Sequence, residues 1–272
     1  MTNNSDLSKF IDLLNQSVTN KFGIDASIIN IDSIEKISIP EQIRDEIPTR
    51  NEYGYMKIEL DEFAAELVEY AGQESLPILE LGSAYGYTAH KILEKGAKLV
   101  VNDLSYEHLA ILLQGVKRQY LQNLTIKAGR FPEINFPNNS FGAVLTSRMM
   151  HFLTPQEASA GFNKIYDWLV PGGKFFFIVI TPYHFTLRDK FLPTYNKRFL
   201  AKESWPGRVE SNKQLAGELA LDVPDSILVF DVEELQSLLP QYGFRIDKIK
   251  RFDYKSHDSD SKGHVGLVAT KI

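Results

Sequence analysis

The chain has 272 residues, enough for one large domain with a substantial core and room for an appended segment. Its formal net charge of −5 supplies no global basic field for nucleic acid or anionic membranes, and its balance of 43% apolar and 24% charged residues is that of an ordinary globular protein. It contains no cysteine, which excludes disulfides, thiolate metal sites and cysteine nucleophiles.

The start, "MTNNSDLSKFIDLL", carries an acid where a signal peptide has basic residues, and the longest apolar run, "FFFIVI" at 175–180, is too short to span a bilayer. A cytoplasmic protein with no membrane partner is the expectation. Residues 5–22 place Leu7, Phe10, Ile11, Leu13, Leu14 and Val18 at helical spacing. Residues 24–50 are rich in isoleucine and give no firm assignment. From about residue 60 a rhythm begins. A helix over 60–72 is capped by Asp61, a strand spans 77–81, a helix over 86–95 stops at Gly96, and a strand over 97–102 ends at Asp103.

A helix over 105–119 opens on Ser105, with Glu107 and His108 in its first turn, and strands follow at 124–128 and 141–146. Pro155 suits the first turn of a helix over 155–170, which "PGG" stops before a strand at 174–181. Strands alternating with helices of this length predict a parallel, doubly wound sheet. The rhythm breaks at 182–226, a proline- and aromatic-rich stretch without a clear strand. A helix at 231–241 and strands at 244–253 and 264–271 complete the chain. The short link between those last strands allows only an antiparallel hairpin.

The stretch "ILELGSAYGYTAHKIL" at 78–93 carries the first chemistry. Ligands of open parallel sheets bind beyond the carboxyl ends of the strands, next to the switch in strand order. Gly82 and Gly86 free the backbone there, and Ala84 keeps the loop low enough for a ligand to approach. Asp103, at the end of the next strand, suits the two hydroxyls of a ribose. A dinucleotide would call for G-x-G-x-x-G, whereas this turn is G-x-A-x-G with Glu80 just before it. A carboxylate there favours a cation-bearing ligand over a pyrophosphate. S-adenosylmethionine, with a sulfonium and an ammonium, meets that requirement.

Four stretches in order and spacing, "ILELGSAYGYTA", "VVNDLS", "FPNNSFGAVLTSRMMHFLT" and "LVPGGKFFFIV", resemble the motifs of class I S-adenosylmethionine-dependent methyltransferases. The resemblance covers roughly 60–181 and 227–272. It implies an α/β fold: a doubly wound, Rossmann-like, seven-stranded and mostly parallel sheet with an antiparallel last strand. The domain plan is then an N-terminal helical extension at 1–58, a core at 59–181 and 227–272, and a lid-like insertion at 182–226 after strand five. It also implies S-adenosyl-L-methionine as cofactor. Glu80 and the turn of Gly82, Ser83, Ala84, Tyr85 and Gly86 would surround the methionine moiety, Asp103 the ribose, and Leu104 with Gly129, Arg130 and Phe131 the adenine. Two positions depart from the family pattern. Arg130 stands where relatives often carry an acid, and Gly142 follows Phe141 where they often have Asp.

Methyl transfer from a sulfonium needs alignment and exclusion of water, and a general base only for a tightly protonated acceptor. After strand four, His151 is a candidate base or acceptor-orienting group; capping the next helix or filling a polar niche is its alternative. Arg148 can pair with the cofactor carboxylate, with a substrate acid or in a structural ion pair. Beyond strand five, His184 is a second catalytic candidate, and Tyr183, Tyr195 and Trp205 are substrate-facing candidates or members of the insertion's own small core. Tyr53 and Tyr55 flank a hinge-capable Gly54 in a second covering segment, with Tyr55 a substrate candidate and Arg50 and Lys57 within reach of the cofactor carboxylate.

"DSDSKG" at 258–263 lacks the later ligands of a calcium loop, having Lys262 and Ala269 where they would fall. His257, Asp258, Asp260 and His264 are ligating types, but a hairpin loop is polar by default, so no metal is expected. The expected reaction is methyl transfer to an O, N or C atom of a small-molecule acceptor. A protein or RNA methyltransferase, or a non-catalytic protein that binds S-adenosylmethionine, is the alternative, with nucleic acid disfavoured by charge.

Overall fold

The computed structural model describes residues 4–16, 20–34, 36–51, 53–216, 223–255 and 257–272. Val18 and positions 217–222 of the insertion lie outside them. In chain order the N-terminal extension forms helix α1 (Asn4–Gln16), a two-residue strand β1 (Ile24–Asp25), and the antiparallel pair β2 (Glu46–Pro48) and β3 (Tyr55–Lys57). The core continues with α2 (Glu62–Ala71), β4 (Ile78–Leu81), α3 (Tyr87–Glu94), β5 (Leu99–Asp103), α4 (Tyr106–Gly115), β6 (Leu124–Ala128), β7 (Phe141–Ser147), α5 (Pro155–Trp168) and β8 (Leu169–Ile180). The insertion holds α6 (Leu192–Leu200), β9 (Arg208–Val209) and α7 (Asn212–Ala216), and β10 (Ile227–Leu228) pairs with β9. Helix α8 (Val232–Leu238) and strands β11 (Phe244–Phe252) and β12 (His264–Lys271) follow.

The sheet runs β1-β6-β5-β4-β7-β8-β12-β11. Strands β4 to β8 pair in parallel, and β12 lies antiparallel to both β8 and β11. The seven expected strands are present with the antiparallel final hairpin. An eighth, β1, joins the edge antiparallel to β6 through Ile24 and Asp25. Two residues are too few to show alternation in sequence, so that strand had no legible signal. The chain order reverses between β5 and β7 around β4, which puts the ligand crevice beyond Leu81.

Both faces of the sheet are covered, which explains why its strands are continuous apolar runs. Ile78, Ala143, Leu145, Phe176 and Ile178 pack with α2, α3, α4 and parts of the extension. Leu79, Leu81, Val144, Phe175, Phe177 and Val179 point the other way, into a core built with α5 and α8. Helix ends follow local chemistry. Asp61 accepts from the N–H groups of Phe63 and Ala64, both at 2.9 Å, and Thr154 with Glu157 forms a reciprocal cap on α5. Two boundaries differ from expectation. Helix α4 ends at Gly115 and a 3-10 turn occupies Arg118–Asn123; "PGG" lies within the first, irregular part of β8, where pairing with β7 shifts register after Phe141.

Candidate functional site

The loop after β4 is held to the end of β5. The N–H groups of Gly82 and Ser83 both donate to the Asn102 carbonyl, at 2.8 and 3.0 Å, and the Ala84 N–H donates to Asp103 Oδ2 at 2.9 Å. Gly82 has φ +70, and a Cβ there would stand 2.9 Å from the Met149 side chain, so the turn tolerates glycine best at this point. Asp103 Oδ1 accepts from Ser105 N–H at 2.8 Å and lies 3.2 Å from His108 Nδ1. Asn102 donates through Nδ2 to the carbonyls of Lys127 and Gly129, fixing the β6 loop beside the same crevice.

These loops enclose a cavity of about 1090 Å³, its open mouth included, into which Glu80, Gly82, Ser83, Ala84 and Asp103 face. Leu104, Gly129, Arg130 and Phe131 line it where the adenine was expected. Glu80 is 5% exposed and its Oε2 has no hydrogen-bond partner among the described residues; the buried Ser83 Oγ has none either. Burial, with the Asp103 charge beside it, pushes the Glu80 carboxyl up to about 8. An unsatisfied buried carboxylate at the base of a cavity is the complement of an ammonium group. The donor set therefore fits S-adenosylmethionine, with Glu80 on its cationic amino-acid part and the strand-end Asp103 on its ribose.

Tyr85 and Gly86 are corrections, because neither lines the cavity. The Tyr85 hydroxyl donates to the Pro48 carbonyl at 2.9 Å and its ring packs edge-on against His108, so it anchors the extension. Gly86, at φ +83, starts α3, and a Cβ there would meet Leu112 at 2.5 Å. Arg130 lines the cavity but its guanidinium donates to Glu157 at 2.7 Å. Arg148, at φ +53, donates to the Tyr55 carbonyl at 3.0 Å and lies 3.6 Å from Glu46. It ties β3 to the end of β7 while lining the cavity wall.

The extension forms the roof. Tyr53 packs edge-on to Phe152, and Thr49, Asn51, Tyr53 and Tyr55 line the cavity. Lys57 also lines it, buried and paired with Asp45 and Glu46 at 3.0 Å, whereas Arg50 turns away to Glu107. Several residues here were not among the site candidates read from the sequence: His108, Asn102, Met149 and Tyr254. Tyr254 comes from beyond β11, donates to Asp61 at 2.7 Å, and lies under Lys57 and Arg148. A histidine in the first turn after Asp103 was the signal that could have drawn attention to His108.

A second cavity of about 710 Å³ shares Tyr55, Arg148 and Phe152 with the first. His151 and His184 line this chamber, with Phe185 and Thr186 of the insertion, Glu46 of the extension, and His257 and His264 of the last hairpin. Burial, with Arg148 nearby, pushes the His151 imidazole down to about 3, and burial with the adjacent His257 holds His184 well below the usual histidine range. Both are neutral rings and weak proton acceptors, so the geometry does not favour the general-base reading of either.

The other substrate candidates do not face either cavity. Tyr195 is 2% exposed in the insertion's own core with Leu187, Phe191, Val209, Ile227 and Val229, and its hydroxyl donates to Glu234 at 3.3 Å. Trp205 packs on Phe230. Tyr183 lies beneath Arg251 and Lys262. Tyr195 is thus taken up by the insertion's own core, Trp205 by the main core and Tyr183 by two cations of the final hairpin.

Residues 78–173 match the family model of a methyltransferase domain. No curated protein matches the chain in sequence. Among solved structures, an S-adenosylmethionine-dependent methyltransferase from Methanosarcina mazei shares 17% identity over 79% of this chain and 99% of its own, with a TM-score of 0.59. One from Mesorhizobium loti shares 17% over 76% and 97%, at 0.56. The 1,6-didemethyltoxoflavin-N1-methyltransferase of Burkholderia thailandensis, solved with 1,6-didemethyltoxoflavin and S-adenosylhomocysteine bound, shares 18% over 77% of each chain, at 0.56. At these identities the likeness is one of fold. Residues 78–173 thus carry a methyltransferase domain, and the chain has the fold of S-adenosylmethionine-dependent methyltransferases.

Proposed function

We propose that the protein transfers the methyl group of S-adenosylmethionine to an oxygen, nitrogen or carbon atom of a small molecule held in the second chamber. The observation that carries this reading is the adjacency of two cavities whose walls share Tyr55, Arg148 and Phe152, one with an unpartnered buried carboxylate and the other walled by aromatic and imidazole rings. When bound, the donor supplies a methyl group already activated by the sulfonium. The chain's contribution is placement: Glu80 and Asp103 hold the amino-acid and ribose parts of the donor, and the β2–β3 hairpin covers it. The insertion narrows the acceptor side through His184, Phe185 and Thr186. The Burkholderia thailandensis relative, whose structure holds a small heterocycle, supports an acceptor of that size class.

Helices long and apolar enough to cross a membrane are absent among the described residues, so no hydrophobic span competes with this placement. The test is to incubate the protein with methyl-labelled donor and a total cell extract, then separate small molecules, protein and RNA. Label in the small-molecule fraction is the expected outcome. Label confined to protein or RNA would overturn the acceptor class while leaving the donor site intact.

A further inference from the structure

His184 lies just beyond β8, and His257 and His264 stand on either side of the β11–β12 loop tip. One ring nitrogen of each lies within 4.8 Å of the other two. Their ring centroids are 5.1 to 5.3 Å apart. All three side chains are deeply buried: His264 is 1% exposed, His184 8%, and the side chain of His257 8%. Nδ1 of His257 and Nδ1 of His264 have no hydrogen-bond partner among the described residues. Leaving a buried polar atom unpaired costs about 1–3 kcal/mol, so two such nitrogens side by side call for an explanation.

Their surroundings orient the rings. Glu46 Oε1 lies 3.4 Å from Nε2 of His257, the ring nitrogen opposite the unpartnered one, and His184 Nδ1 lies 2.8 Å from Thr186 Oγ1. A carboxylate or hydroxyl behind an imidazole is how ligating histidines are commonly oriented. Lys57 Nζ is 3.3 Å from His257 Nε2 and Arg148 is near, but Asp45 and Glu46 sit within 3.0 to 3.6 Å of these two cations. Those carboxylates offset part of the positive charge beside the three rings.

We propose that His184, His257 and His264 bind one divalent ion of the zinc type in the wall of the acceptor chamber. Three imidazoles suit such an ion and offer little to magnesium or calcium, which prefer oxygen. Metal–nitrogen bonds of about 2.0–2.1 Å put tetrahedral ligand atoms roughly 3.4 Å apart, so nitrogens that now lie within 4.8 Å of one another must close by up to about 1.4 Å. His257, in the loop, can supply that movement by side-chain rotation. Three protein ligands leave a fourth position open to the chamber, where an oxygen or nitrogen of the acceptor can coordinate.

The inference goes beyond the methyl-transfer reading, and its test uses no donor. The full-length protein is stripped with a chelator, dialysed, and titrated with Co2+ while visible absorption is followed. One equivalent per chain is expected, with the strong bands of low-coordinate cobalt, and stoichiometric Zn2+ should displace it. His257→Gln and His264→Gln should each weaken uptake at least about tenfold, the loss of one ligand of three. Binding of S-adenosylhomocysteine and the thermal melt serve as fold controls, and if His264→Gln fails them, the loop variant His257→Gln decides. Absence of stoichiometric Co2+ uptake by the wild-type protein, or uptake unchanged in the folded variants, overturns the site. Cobalt uptake without S-adenosylhomocysteine binding would instead sink the methyl-transfer reading and leave the metal site standing.

Discussion

The donor cavity and the acceptor chamber share a wall but are built in opposite ways. The donor cavity is made by the ends of neighbouring parallel strands, so its polar groups arrive by local connection: Glu80 on β4, Asp103 on β5, Gly129 after β6. The acceptor chamber is assembled from the extension, the insertion and the final hairpin, with Glu46, His184 and His257 brought together from distant parts of the chain. The first design fixes one ligand by a short sequence signature. On the proposed reading, the second would let the acceptor change through three covering segments without touching the sheet, the usual division between a scaffold and the loops it carries.

Substitutions can break that contrast, and the largest effect is expected at Gly82. Gly82→Val forces a branched side chain into φ +70 and toward Met149. Strain of about 1–3 kcal/mol, together with a filled cradle, should lower donor affinity roughly 100-fold or more by calorimetry. Asp103→Ala removes the acceptor of the Ala84 and Ser105 N–H bonds as well as the expected ribose partner. A loss of about 10- to 100-fold in donor affinity is expected, hydrogen bonds to a charged group being worth about 1.5–3 kcal/mol.

Glu80 sharpens the comparison through pH. Its carboxyl, at about 8 when folded, lies above the ordinary 4.5. Below pH 4.5 it is protonated folded and unfolded alike and costs nothing. Above that, the unfolded chain releases a proton that the folded chain keeps, so the stability of the unliganded protein falls with rising pH until about 8 and then levels. A bound ammonium favours the ionised form, so donor affinity should rise between about pH 6 and 8, by up to about tenfold per unit. Calorimetry across that range should show proton release, and Glu80→Gln should flatten the profile and weaken binding about tenfold at pH 8. A wild-type profile as flat as the variant's would remove Glu80 from the donor site.

The smallest effect is expected at Tyr195, within the insertion's own core. Tyr195→Phe loses one hydrogen bond to Glu234, costing about 1 kcal/mol and lowering the melting temperature by roughly 2–4 °C. Donor affinity should be unchanged; a marked loss would mean that the insertion and the donor cavity are coupled.

The same contrast decides what was legible in the sequence. Hydrophobic runs and helix signals placed the seven main strands, and a glycine turn between Glu80 and an amphipathic helix placed the donor loop. Within that turn Tyr85 and Gly86 serve the fold, since periodicity cannot tell a loop side chain facing a ligand from one facing a neighbouring segment. The acceptor side was hidden for a related reason. His184 drew attention because it directly follows a strand, whereas His257 and His264 looked like ordinary polar residues of a hairpin loop. Their burial is a tertiary fact, produced when the extension and the insertion close over that loop. The aromatics at 183, 195 and 205 misled in the opposite sense, because packing takes them up elsewhere: Tyr195 in the insertion's own core, Trp205 on Phe230 and Tyr183 beneath Arg251 and Lys262.

The central claim is that the cavity beyond β4 and β5 is a site for S-adenosylmethionine, and its most direct test is calorimetric titration of the purified chain with S-adenosylhomocysteine. The account predicts a single site per chain, sensitive to Asp103→Ala and abolished or nearly so by Gly82→Val. No heat of binding from the folded wild-type protein, or binding indifferent to both substitutions, would contradict it.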